Sequence, residues 1–160
     1  MSEFTQSVNV REYMTHHLVE VFDTMLSMKA APVRERLLPR YRERVTGCVG
    51  FAGADVNGAV YLHLSAEFAV CTAAAMLGLQ PDEISGEAEV NDVVGEVANM
   101  LAGGLKSTLC NAGNACAIST PAIIRGNSFV IEPMPDVERL WLMFACGKER
   151  LVVEVHIKYN

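Results

Sequence analysis

No apolar run in this sequence approaches the roughly 18 residues that a membrane-spanning helix requires. Its hydrophobic residues, 51% of the chain, are spread over several segments instead. Residues 1–10 carry Glu3 and lack a basic stretch leading into an apolar one, so no secretory leader is expected. The cysteines, Cys48, Cys71, Cys110, Cys116 and Cys146, are odd in number, and no two stand in CxxC spacing. That pattern argues against a zinc site or a thioredoxin-like redox centre. Most of them are expected to act as small buried apolar groups in a reducing compartment. Positive charge is also scarce. A formal net charge of −6 disfavours nucleic acid, whose phosphates are bound by neutralising Lys and Arg. These absences together predict a soluble, cytoplasmic protein that contacts neither membrane nor nucleic acid.

A chain of 160 residues can bury a core without disulfide or metal staples, and one domain spanning residues 1–160 is expected. The basic residues gather once, at Arg34, Arg36, Arg40, Arg42 and Arg44. They read either as a loop entering a solvated strand or as a patch for an anionic partner.

Residues 9–28 form the first helical pattern, with Val10, Tyr13, Met14, His17, Leu18, Val21, Phe22 and Met25 on its apolar stripe and Asn9 or Ser7 as cap. Strands follow at residues 42–53 and 58–65, joined through the turn chemistry of Asp55, Asn57 and Gly58. Ser65 can cap a helix over residues 66–77 that Gly78 ends. Residues 80–86 form a polar connection before the longest helix, 87–110, whose Glu87, Glu89 and Asp92 suit the positive end of the helix dipole. Beyond it, residues 115–125 read as one strand interrupted at Pro121, which cannot donate to a ladder. Residues 128–132 read as another strand, and residues 139–146 and 151–159 as a closing hairpin around Gly147 and Lys148. Segregated runs of this kind predict an α+β fold, with a largely antiparallel sheet of about six strands packed with three helices.

The long helix carries the candidate chemistry. At about 100° per residue, Val90, Val93, Val94, Val97, Met100, Leu101 and Leu105 share one apolar stripe. Asp92, Glu96, Asn99 and Gly103 share a second, so the Glu96 and Asn99 side chains are neighbours. Around them Gly95, Ala98, Ala102, Gly103 and Gly104 are small, although mid-helix glycine costs on the order of 1 kcal/mol each. A close neighbour explains that expense. It is either another element of the same chain or a partner protein. A metal reading of His16 and Glu20, which have helical ligand spacing, lacks a third ligand.

The stretch DVVGEVANMLAG at residues 92–103 resembles the signature helix of the CheC/CheX/FliY chemotaxis phosphatases. That signature sets an acidic or Ser residue, Glu four positions on, Asn three further, and Pro some twenty residues later; Pro121 stands approximately at the last position. A single signature helix and an opening helix containing VFDTML at residues 21–26 make the CheX type the nearer match. The resemblance implies the family's α/β-type fold and a phosphatase that hydrolyses the aspartyl phosphate of a CheY-like response regulator. Glu96 would pair with the receiver's lysine, and Asn99 would place the attacking water. Asp92, Ala98 and Gly103 would meet the partner, with Asp92 alternatively complementing only the helix start. Mg²⁺ would be held by the receiver and no metal by this chain, and the protein would be a homodimer. The alternative is a non-catalytic receiver-binding or dimerisation module. The chemistry suits the residues. An acyl phosphate is already activated and needs a water held in line more than a strong base, and a neutral amide can hold it.

Overall fold

The computed structural model describes residues 8–34 and 39–160, so Ser7 and Arg36 lie outside the described residues. Helix α1, Val10–Leu26, is capped by Asn9, whose side chain accepts from the Glu12 amide at 3.1 Å. Met25 is 46% exposed and not on the buried stripe; Leu26, one position on, is buried in its place. A short strand missed in the sequence, β1 (Ala31–Val33), follows. Pro32 fits there because β1 lies at the edge of the sheet, where a missing N–H breaks no ladder.

Strands β2 (Arg44–Ala52) and β3 (Val56–Ser65) form the expected hairpin, with the turn at residues 53–55, slightly earlier than the sequence implied. Helix α2, Ala66–Leu77, starts at Ser65, whose hydroxyl accepts from the Phe68 amide at 3.0 Å, and stops at left-handed Gly78. A 3-10 turn at Pro81–Glu83 precedes α3, Glu87–Asn111. The interrupted strand is real: β4 (Ala117–Ile118) and β5 (Ala122–Gly126) both pair with β2, and Pro121 lies between them. The hairpin of β6 (Glu138–Cys146) and β7 (Glu149–Tyr159) closes the chain.

Residues 128–132 are not a strand. The outer edge of β2 is already taken by β4 and β5. The segment instead folds over the sheet, where the Arg44 guanidinium stacks 3.6 Å above the Phe129 ring and donates to the Phe129 carbonyl oxygen. The result is α+β: three α-helices on an antiparallel sheet, seven strands among the described residues, ordered β1-β6-β7-β3-β2-β4 with β5 also on β2. None of the described helices is long and apolar enough to cross a membrane.

One face of the sheet (Val45, Val49, Val60, Leu62, Val153, Val155) meets α3 and its flanking helices in a continuous apolar core. The other face carries a buried polar layer bordered by half-buried Tyr61 and Trp141. Thr46, His63, Glu154 and His156 on it are buried, so β2 is not a fully solvated strand, the first of the two readings of the arginine cluster. Glu154 organises this layer. Its Oε1 lies 3.0 Å from His63 Nε2, and its Oε2 lies 2.6 Å from His156 Nε2 and 2.8 Å from Arg139 Nε. A carboxylate only accepts, so His63 carries its proton on Nε2 and its Nδ1 accepts from the Thr46 hydroxyl at 2.8 Å. Burial holds the His63 imidazole below its ordinary value, although the Glu154 hydrogen bond and charge pull upward. For Glu154, burial raises the carboxyl, but hydrogen bonds from both histidines and the Arg139 charge outweigh it and leave the group low. The cysteines depart from expectation too: Cys71 is exposed and the other four are half-buried.

Candidate active site

Helix α3 is seated by its valine and leucine stripe: Val90, Val93, Val94, Val97, Leu101 and Leu105 are all buried. Burying each such side chain contributes about 1.5–3 kcal/mol, enough to fix which face turns outward. A second device sets how deep the helix sits. A Cβ at Gly47 would lie 2.9 Å from the Cβ of Ala98, so β2 accepts the helix only because position 47 has no side chain.

Ala98 is fully buried in that contact. This corrects its place on a partner-facing surface. At about 100° per residue it lies about 160° around the helix from Glu96 and beside Val94 and Leu105. The four residues of the expected strip do reach the outside. Asp92 and Glu96 are exposed, Asn99 is half-buried, and a Cβ at Gly103 would meet nothing within 4 Å. Neither Glu96 nor Asn99 is tied by a hydrogen bond or ion pair among the described residues. A carboxylate and an amide are thus presented one turn apart, free to bind something else.

The strip runs between two internal neighbours that account for the other small residues. On one side Gly104 lies under α1, where a Cβ would come 2.6 Å from the Tyr13 hydroxyl and collide with the His17 ring. His17 Nε2 stands 3.0 Å from the carbonyl oxygen of Met100, the residue after Asn99; a carbonyl accepts, so the ring donates from that nitrogen. Tyr13 stacks on His17 with centroids 5.4 Å apart. On the other side a Cβ at Gly95 would sit 3.4 Å from Pro121. Of the three mid-helix glycines, two serve internal packing and Gly103 alone is left open to the outside. The sequence reading placed His17 on an apolar stripe and missed its polar end. No pattern in α1 marks a bond to a helix 83 residues away. No group of three or more His, Cys, Asp or Glu residues able to hold a metal occurs among the described residues.

Solved structures share this arrangement of elements. The chemotaxis protein CheX from Vibrio vulnificus is 25% identical with a TM-score of 0.79, the match covering 98% of this chain and 100% of that one. CheX from Desulfovibrio desulfuricans is 22% identical with a TM-score of 0.76, covering 96% and 100%. A CheX from Borrelia burgdorferi, solved in complex with CheY, BeF₃ and Mg²⁺, is 22% identical with a TM-score of 0.72, covering 95% and 99%. No curated protein matches the chain. The family model described as chemotaxis phosphatase CheX matches residues 45–145, from β2 through β6 and with all of α3 inside. The chain is therefore a member of the CheX chemotaxis phosphatase family.

Proposed function

We propose that this protein hydrolyses the aspartyl phosphate of a CheY-like response regulator, with Asn99 positioning the water and Glu96 docking the receiver. One observation carries the reading: Glu96 and Asn99 reach the outer face of α3 side by side, unengaged by any of the described residues. A side chain already satisfied by its own fold has nothing to offer an incoming phosphoryl group. The Borrelia burgdorferi complex, which contains CheY, BeF₃ and Mg²⁺, supports a receiver as partner.

In the proposed reaction the Asn99 side-chain carbonyl accepts from a water and directs a lone pair at phosphorus. The P–O bond to the receiver aspartate breaks as the new one forms, releasing inorganic phosphate and a free carboxylate. Magnesium on the receiver neutralises the charge that develops. Glu96 takes a charge-assisted hydrogen bond from the receiver's lysine and fixes the approach. Asn reaches one methylene less far than Gln, so α3 must come close; Gly103, open to the outside, permits that. Asp92, exposed one turn before Glu96, extends the same strip toward the partner. The family likeness further implies a homodimer, which light scattering would show as twice the chain mass.

The test is to add the protein to a phosphorylated receiver with Mg²⁺ and follow phosphate loss. Accelerated loss supports the reading. A receiver that binds but loses phosphate no faster would instead indicate a non-catalytic docking module.

A further inference from the structure

The arginine cluster and the aromatic layer on the sheet's second face remain outside the phosphatase site. Arg40 and Arg44 of that cluster meet the aromatic layer around a cavity of about 390 Å³, at the small end of the roughly 300–1,000 Å³ typical of ligand sites. Arg40, Tyr41, Arg44, His63, Phe129 and Trp141 line it, and among the described residues no carboxylate does. In a chain of net charge −6 this is a local concentration of positive charge. The Glu154 carboxylate next to His63 is 1% exposed and paired with Arg139, and its charge also acts on Arg44, which leaves exposed Arg40 as the less compensated cation.

The internal bonds determine what each wall can still offer. Both His63 nitrogens are committed, to Thr46 and Glu154, so His63 contributes only its ring, stacked 5.9 Å from Trp141. The Tyr41 hydroxyl donates to the Arg150 carbonyl at 2.9 Å, leaving its ring. Arg44 lies flat on Phe129 and gives one of its N–H groups to the Phe129 carbonyl, which leaves further donors on a guanidinium that has five. Arg40 is exposed and without a partner among the described residues. What remains is a set of aromatic surfaces with guanidinium donors beside them. Aromatic faces take a planar ring by stacking, and guanidinium groups take a phosphate or carboxylate.

We propose that this cavity binds a small planar aromatic anion of the size of a nucleoside monophosphate, with the ring against Trp141 and Tyr41 and the phosphate on Arg40 and Arg44. The site lies across the sheet from Glu96 and Asn99, and its occupancy does not compete with docking at α3.

Trp141 is the chain's one tryptophan, so intrinsic fluorescence reports the cavity directly. Titration with AMP is expected to give a saturable change. Adenosine and inorganic phosphate, each lacking one half of the recognition, should bind at least about tenfold more weakly. Arg40→Glu should weaken AMP binding by a similar factor while melting like the parent, and Arg40→Gln serves as a milder variant should the charge reversal disturb the fold. The proposal is overturned by no saturable change with AMP. It is equally overturned if adenosine or phosphate matches AMP, or if both Arg40 variants bind AMP as the parent does.

Discussion

At position 98 a methyl group is sealed between α3 and β2, while at position 99 the amide reaches the surface. This one-residue alternation separates effects on folding from effects on docking. Ala98→Leu forces extra volume against Gly47 and Val94 and is expected to lower stability by about 1–3 kcal/mol in denaturant unfolding. Gly103→Leu adds the same bulk where nothing lies within 4 Å. It should melt close to the parent yet weaken receiver binding in a titration. A Gly103→Leu protein that binds the phosphorylated receiver normally would remove Gly103 from the docking face. The positions of Glu96 and Asn99 were legible in the sequence because helical spacing alone sets them one turn apart. Ala98 was misplaced because small size was read as a mark of exposure, when its angle around the helix already grouped it with Val94 and Leu105.

Individual elements were legible where local signals agree. The Ser65 cap, the Gly78 stop and the break at Pro121 each have a short-range cause, and each is found. Elements defined by distant partners were not. Strand β1 exists because β6 offers it an edge, and residues 128–132 lack a ladder because β2 has no free edge left. In β7, Val153, Val155 and Ile157 face the helices, and Glu154 and His156 lie on the opposite side. Side-chain partners from β2, β3 and β6 bury Glu154 and His156 on the second side, while Arg139 stays exposed and Trp141 half-buried. That buried layer predicts acid sensitivity. Unfolded His63 takes up a proton near its ordinary value of 6.5, which the folded chain resists. Its contribution to stability is complete above that pH and is lost as pH falls toward the lower folded value. Glu154 acts in the same direction further down, its contribution present above its ordinary value of 4.5 and lost as the folded carboxylate protonates. Thermal melts of the parent should therefore decline on acidification from neutral pH, and His63→Gln should flatten the upper part of that decline. Equal slopes for both proteins would contradict it. Glu154→Ala strands three donors at once and should cost about 3 kcal/mol or more in the same assay.

For the whole molecule, one antiparallel sheet separates two surfaces of different character. On its helical side three helices cover an apolar core, and the outermost line of α3 presents Glu96 and Asn99. His17 from α1 and Pro121 from the β4–β5 connection border that line on either side. Both hold α3 by its flanks and leave its crest clear, as the proposed docking into a receiver's phosphorylation site requires. The fold class followed from the order of segments. The depth of α3 did not, because it depends on Gly47 meeting Ala98 across 51 positions of chain, a match no local pattern records. The most direct test of the central claim is a single-turnover measurement of phosphate release from a phosphorylated, Mg²⁺-loaded receiver, titrated with parent and Asn99→Ala protein. The account predicts that Asn99→Ala lowers the limiting rate on the order of 10²-fold at an unchanged half-saturating concentration. A limiting rate equal to the parent's would contradict it.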